Sequence, residues 1–256
     1  MLGAIAGDII GSVYEQHSIK SKTFPLFDPR CTFTDDTVLT VAVAEAILTG
    51  QSYLACCRRI GRSYPHAGYG GSFFHWLHAE APRPYNSWGN GAAMRVSPVG
   101  FAFATEEEVL LQARRTAEIT HNHPEGIKGA QATALAVFMA RTGHDKAAIK
   151  SCLVENFGYD LDRSIDGIRP GYSFDISCQG TVPEAIIAFL DASTYEDAVR
   201  NAVSLGGDSD TLACIAGGIA DAYYGGVPEE IADKVKELLT PDLWKVVRTF
   251  GEKYRV

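Results

Sequence analysis

Apolar residues in this chain recur with the 3.6-residue period of a helix, and no stretch shows the two-residue alternation of a half-buried strand. That restricts the fold to packed helices. Residues 37–49 carry apolar side chains around almost the whole helical circumference, so this helix belongs at the centre of the molecule. Gly50 supplies its stop signal. Residues 126–142 read the same way. In residues 211–224 the set Leu212, Ile215, Ala216, Ile219, Ala220 and Tyr223 follows the i, i+3, i+4, i+7 spacing. Ala213, Ala216, Gly217 and Gly218 on that helix let neighbouring helices come close. Residues 181–192 and 195–205 predict two more helices, with Pro183 accommodated in a first turn. Residues 228–239 and 241–250 predict amphipathic helices at the end of the chain. The first ten residues predict a core helix, not a signal peptide, because no basic segment leads them and Asp8 interrupts the apolar run.

Between the helices lie three long irregular stretches, about 14–36, 62–98 and 158–180, rich in Gly, Pro, Tyr and Asn. Loops of that length in a compact domain are usually functional. No internal repeat, low-complexity tract or linker divides the chain, so the expectation is one all-α domain over residues 1–256. A hydrophobic content of 46% permits a large core. The net charge of -8, without any basic run, removes the electrostatic footprint of a nucleic-acid binder. No uninterrupted apolar run reaches the roughly 20 residues a membrane span needs. The six cysteines fit no zinc spacing, and several sit in apolar helical runs as reduced, buried thiols. A cytoplasmic setting is the expectation.

Two short acidic clusters carry the chemistry. Thr34-Asp35-Asp36-Thr37 and Asp208-Ser209-Asp210-Thr211 each directly precede an apolar helical run, and the second follows Gly206-Gly207. Asp and Thr before a helix ordinarily cap its first turn. One cap needs one residue, however, and each cluster spends three or four. Carboxylates placed so close repel unless a cation neutralises them. Oxygen-only donor sets suit hard divalent cations. Other residues have bland readings. His75 and His78, spaced i, i+3, lack a third nitrogen ligand and read as rim histidines. His121-Asn122-His123-Pro124 invites zinc, against the oxygen-rich clusters elsewhere. Glu45, alone in a buried helix, reads as the partner of a polar group. Gly89-Asn90-Gly91 is a turn, or a backbone segment able to approach an anion. Trp88 is packing or a stacking platform, and Arg95 reads as structural. Tyr64, Tyr69 and the Gly68–Gly71 turn are candidates for a cleft mouth, with Tyr172, Phe174 and Asp175 candidates to contact a leaving group or a base.

Taken together and in order, five segments resemble the ADP-ribosylglycohydrolases, the family of the dinitrogenase-reductase-activating glycohydrolase and the vertebrate ADP-ribosyl-arginine and ADP-ribosyl-serine hydrolases. They are Gly7-Asp8-Ile9-Ile10-Gly11-Ser12-Val13-Tyr14-Glu15, Phe33-Thr34-Asp35-Asp36-Thr37, Ser87-Trp88-Gly89-Asn90-Gly91-Ala92-Ala93-Met94-Arg95, Thr120-His121 and Leu205-Gly206-Gly207-Asp208-Ser209-Asp210-Thr211-Leu212-Ala213. The resemblance implies a compact orthogonal helical bundle with a binuclear metal centre in a cleft. It implies two Mg²⁺ or Mn²⁺ ions ligated by Thr34, Asp35 and Asp36 from one side and by Asp208, Asp210 and Thr211 from the other. Glu15 matches the family's mobile glutamate. Ser87, Trp88, Gly89, Asn90, Gly91 and Met94 match the segment around the ADP-ribose diphosphate and distal ribose, and His121 a histidine near the pyrophosphate.

The expected activity is hydrolysis at C1″ of an ADP-ribosyl group, with Glu15 as general base and Asp36 essential. The expected partner is an ADP-ribosylated substrate, most readily a protein, with nucleic acid entering only as a modified substrate and no membrane. The alternatives are hydrolysis of another conjugate such as O-acetyl-ADP-ribose, and a non-catalytic ADP-ribose-binding member. Neither the linkage cleaved nor the choice of ion is written in the residues.

Overall fold

A computed structural model describes residues 1–254. Fifteen helices follow one another among these residues: α1 (Leu2–Gln16), α2 (Asp35–Thr49), α3 (Tyr53–Ser63), α4 (Gly71–His78), α5 (Gly91–Met94), α6 (Ser97–Ala102), α7 (Glu106–Glu118) and α8 (Pro124–Arg141), then α9 (Lys146–Phe157), α10 (Ile165–Ile168), α11 (Cys178–Leu190), α12 (Tyr195–Val203), α13 (Ser209–Tyr224), α14 (Glu229–Leu238) and α15 (Pro241–Tyr254). No strand occurs among them, and a single antiparallel bridge joins Gly89 to Ser177. The fold is all-α, as expected.

The helices whose apolar residues encircle the axis are the ones buried on all sides. Val38, Val41, Ala42, Val43 and Ala44 of α2 have no exposed surface, and α13 is buried from Ser209 through Asp221. α15, by contrast, buries only Leu243, Val247 and Phe250, four and three residues apart on one face. Termination follows the predicted chemistry at Gly50, which adopts φ +71° and donates its N–H to the Ala46 carbonyl at 2.9 Å.

What positions the site is the contact between α1 and α13. The two run antiparallel with backbone touching backbone. Gly3, Gly7 and Gly11, one per turn, face Gly217, Ala213 and Ser209 in turn. A Cβ on Gly11 would lie 2.5 Å from the Ser209 carbonyl oxygen and 2.6 Å from Asp210 Cα, and one on Gly7 would overlap the Ala213 carbonyl. Small residues on α13 were expected to allow such an approach. The matching glycine stripe on α1 supplies the other half.

Two expectations need correction. The stretches 62–98 and 158–180 are not wholly irregular: they contain α4, α5, α10 and the start of α11. These are short helices in Gly- and Pro-rich sequence, fixed by packing rather than by their own periodicity. Pro183 is also not in a first turn. Ser177 caps α11 by accepting from Gly180 N at 3.0 Å, which places Pro183 at the sixth residue of the helix. Proline there gives up a bond to the carbonyl of Gln179, an exposed residue that water can satisfy.

Candidate active site

Both acidic clusters sit at helix N-termini that the fold brings together. Thr34 caps α2 by accepting from Asp36 N at 3.2 Å, and Asp35 N donates to the Ala67 carbonyl at 2.7 Å. Across the cleft, Thr211 in the first turn of α13 donates its hydroxyl to Asp36 Oδ2 at 3.3 Å. Carboxylate oxygens of Asp8, Asp36 and Asp210 lie within 4.8 Å of one another, all three buried. The remote clusters therefore form one group of donors.

Asp8 is the member that sequence reasoning did not single out as a site residue. It lies on α1, and its carboxylate accepts from Thr34 N (3.0 Å), Thr34 Oγ1 (2.7 Å), Thr37 N (3.0 Å) and Thr37 Oγ1. Four donors occupy most of its lone pairs, so its first task is to clamp the N-terminus of α2 against α1. The signal was a lone carboxylate in an otherwise apolar helix, which must find donors when buried. Glu15 follows seven residues later, two turns along α1 and on the same face. It is half-buried and lines the cleft.

The electrostatics are those of crowded acids. Burial, and then Asp8 beside it, push the Asp35 carboxyl up to about 8. Asp36 and Asp210 are held well above the ordinary carboxylate range, by burial first and then by the nearby charge of Asp8 for Asp36 and of Asp36 for Asp210. Burial and the nearby Asp208 raise Glu15 as well. Asp36 Oδ1 is buried with no partner. A buried, bare carboxylate oxygen facing other carboxylates is what a hard cation would satisfy, and the donor set of Thr34, Asp35, Asp36, Asp208, Asp210 and Thr211 fits one.

The cleft above this group measures about 370 Å³, within the usual range of about 300–1,000 Å³ for small-ligand sites. Ser87, Gly89, Asn90, Gly91, Met94 and His121 line it, together with Phe174 and Ile176. Asn90 is tied down by its side chain, which donates to Asp208 Oδ2 (2.6 Å) and to Thr181 Oγ1 (3.1 Å). Two N–H groups of the glycine loop, those of Gly89 and Asn90, are already used within the protein and do not face the cleft free. Gly89 N donates to Ser87 Oγ at 3.1 Å and Asn90 N to the Ile176 carbonyl at 2.7 Å. The glycines give clearance instead: a Cβ on Gly91 would sit 3.1 Å from His121 Nε2.

His121 is buried, and burial and then the Arg95 charge hold its imidazole neutral, well below the usual histidine range. Trp88 is 55% exposed beside this loop, its ring 5.8 Å from that of His123, so it is not core packing. His75 and His78 are exposed, and Glu45 pairs with Arg59. Tyr64 lies away from the cleft, bonded to Thr240 at 2.6 Å, and Tyr69 donates to the Gly61 carbonyl. Tyr172 donates to the Gly180 carbonyl, and Asp175 accepts from Ser177 N, so both brace the loop before α11.

The sequence profile of the ADP-ribosylglycohydrolases matches residues 1–255. The chain belongs to that family. ADP-ribosylhydrolase ARH3 from Mus musculus is 29% identical over 90% of this chain and 84% of its own. ADP-ribosylarginine hydrolase Tri1 from Pseudomonas putida is 30% identical over 57% of this chain and 42% of its own. A solved structure described as an ADP-ribosylglycohydrolase-related protein complex superposes with a TM-score of 0.71 at 25% identity, covering 96% of each chain. ADP-ribosylglycohydrolases depend on metal, and the acidic group of this member is compatible with that requirement. No helix among the described residues is long and apolar enough to cross a membrane.

Proposed function

We propose that the chain hydrolyses the C1″ bond between ADP-ribose and an acceptor, releasing ADP-ribose, and that it does so with two divalent cations, Mg²⁺ or Mn²⁺. One observation carries this reading: the N-termini of α2 and α13 converge with Asp36 Oδ1 bare, at the floor of a cleft walled by the Asn90 loop and His121. Thr34, Asp35 and Asp36 would hold the ions from one side and Asp208, Asp210 and Thr211 from the other. Bound there, such ions would supply Lewis-acid chemistry, orienting the substrate's ribose and polarising a water.

The protein groups divide the remaining work. Asn90 pins Asp208 and so fixes the floor of the cleft. His121, neutral, offers one ring N–H to an acceptor oxygen of the diphosphate. Phe174 and Ile176, which line the cleft, present 56% and 59% of their surfaces, and Trp88, between the lining residues Ser87 and Gly89, presents 55%; the flat apolar base of a nucleotide would cover them. Glu15 stands on the face of α1 that carries Asp8 and takes a proton from the attacking water. Burial, and then Asp208, raise its carboxyl above the ordinary range, which strengthens it as a base. Positive charge developing on the ribose ring is met by the surrounding carboxylates.

The substrate class follows from the family, and a modified protein is the proposed partner. The experiment is a panel of mono-ADP-ribosylated peptides with arginine and serine linkages, O-acetyl-ADP-ribose and modified nucleic acid, assayed by release of ADP-ribose after EDTA treatment with and without added Mg²⁺. Release from at least one conjugate, lost with EDTA and restored by Mg²⁺, supports the proposal. Full ADP-ribose release by EDTA-treated wild type, or by Asp36→Asn after EDTA treatment, overturns the metal account.

A further inference from the structure

Arg95 is wholly buried in the wall of the cleft, and no carboxylate bonds to it. Its Nη2 donates to the Thr116 carbonyl and to Thr120 Oγ1, both at 2.8 Å. Thr120 has no exposed surface, and its Oγ1 lies 2.7 Å from His121 Nδ1. A threonine hydroxyl has one proton and two lone pairs, and a guanidinium can only donate. The bond from Arg95 therefore occupies a lone pair of Thr120. No further acceptor for Thr120 Oγ1 lies within hydrogen-bond distance among the described residues. The hydroxyl proton then either goes to His121 Nδ1 or stays unpaired in the interior, and an unpaired buried donor is disfavoured by about 1–3 kcal/mol.

We propose that Arg95 is a positioning residue that acts through the Thr120 hydroxyl to lock His121 in the tautomer with bare Nδ1 and protonated Nε2, whose N–H faces the cleft between Gly89 and Gly91. The geometry supports the outward half of this statement. His121 Nε2 lies 3.1 Å from where a Gly91 Cβ would be and 3.5 Å from where a Gly89 Cβ would be, so only glycines leave that nitrogen open. A residue able to accept as well as donate at position 95 would let the Thr120 hydroxyl turn round and would release the lock. Arginine cannot, which is a reason for placing a buried cation without a counter-charge here. The cleft wall thus carries a fixed donor and no ring acceptor, and it selects an acceptor oxygen over a donor group at that point. That the oxygen belongs to a diphosphate rests on the proposed function; the tautomer does not.

The test is a two-bond ¹H–¹⁵N correlation spectrum of the full chain labelled with ¹⁵N-histidine, with His121→Gln to assign the signal. The expected pattern has an imine-type Nδ1 and a pyrrole-type Nε2. Thr120→Val keeps the shape and removes the hydroxyl; it is expected to shift His121 to the Nδ1–H tautomer or a mixture, and Thr120→Ser to restore the wild-type pattern. ADP-ribose binding is expected to weaken roughly 3- to 10-fold in Thr120→Val, in KM more than in kcat, as fits one lost donor. Arg95→Gln, whose amide offers the Thr120 hydroxyl an acceptor, is expected to mix the tautomers. A wild-type pattern in folded Arg95→Gln overturns the role of Arg95, and Thr120→Val covers the case in which it does not fold. A proton on Nδ1 in the wild type, or a wild-type pattern in folded Thr120→Val, overturns the inference. The expected pattern in a protein that releases ADP-ribose from no conjugate supports the tautomer and overturns the functional reading alone.

Discussion

Gly11→Ala puts the packing that builds the site to a direct test. The added Cβ would lie 2.5 Å from the Ser209 carbonyl oxygen, 2.6 Å from Asp210 Cα and 2.7 Å from Asp210 N, all backbone atoms that no rotamer change can move aside. To reach the 3.0–3.4 Å of a tight real contact, α1 and α13 must part by roughly 0.5–0.9 Å. Overpacking of this kind costs about 1–3 kcal/mol. For a chain of this size each kcal/mol moves the Tm by about 2–4 °C, so the Tm falls by about 2–12 °C. The displacement falls on Asp210 itself and exceeds the about 0.2 Å tolerance of metal–ligand distances. Mg²⁺ affinity is expected to drop about 10- to 100-fold, the scale on which supports of a metal site act. Calorimetry gives the Tm, and isothermal titration with Mg²⁺ gives the affinity. Gly251→Ala is the control: no atom lies within 4 Å of its Cβ position, so replacing a helical glycine there stabilises by up to about 1 kcal/mol. A Gly11→Ala protein with wild-type Tm and wild-type Mg²⁺ affinity would refute the claim that backbone contact between α1 and α13 sets the site.

Asp36→Asn is expected to raise the Tm of metal-free protein, because it removes one of several crowded carboxylates, and to abolish the Mg²⁺-dependent rise, which for the wild type is about 2.7 kcal/mol at a hundredfold excess over Kd; calorimetry with and without Mg²⁺ reads both signs. Glu15→Gln is expected to lower kcat about 10²- to 10⁴-fold with Mg²⁺ binding intact, read by ADP-ribose release and titration. Burial pushes the Cys57 and Cys178 thiols up to about 11 and about 12. Since the folded chain holds these protons more tightly than the unfolded chain, stability from this source is level below about pH 9 and falls as pH rises through 9 to 12. Denaturant midpoints measured from pH 7 to 11 check the sign, and iodoacetamide at pH 8 is expected to spare both thiols while labelling the half-exposed Cys152 first. Trp88→Ala is expected to raise KM several-fold with kcat little changed, because an exposed ring at the mouth contributes binding and not chemistry; equal losses in kcat would contradict that placement.

How much of this was legible in the residues depended on whether the signal was local. α2 and α13 could be read because Val38 to Ala44 and Leu212 to Ala220 are apolar all round, and a helix of that kind has nowhere to go but the interior. The two acidic clusters were legible for the same reason: three or four oxygen donors before one helix exceed what a cap needs. The short helices α4, α5 and α10 were not, since a helix of four to eight residues among glycines is stabilised by what it packs against, and that information lies elsewhere in the chain. Asp8 shows the limit most clearly. In sequence it is one acid in an apolar run. In the fold its four hydrogen bonds hold Thr34 and Thr37, while the glycines beside it bring Asp210 to α1, so a single helix aligns both halves of the donor group. The spacing of Gly3, Gly7 and Gly11 was visible throughout, but a glycine every fourth residue destabilises an isolated helix and acquires a purpose only once a partner backbone is known. The site is therefore written twice in the chain, once as donors, which the residue types disclose, and once as the α1 surface that aligns them, which only the packing of α13 makes readable.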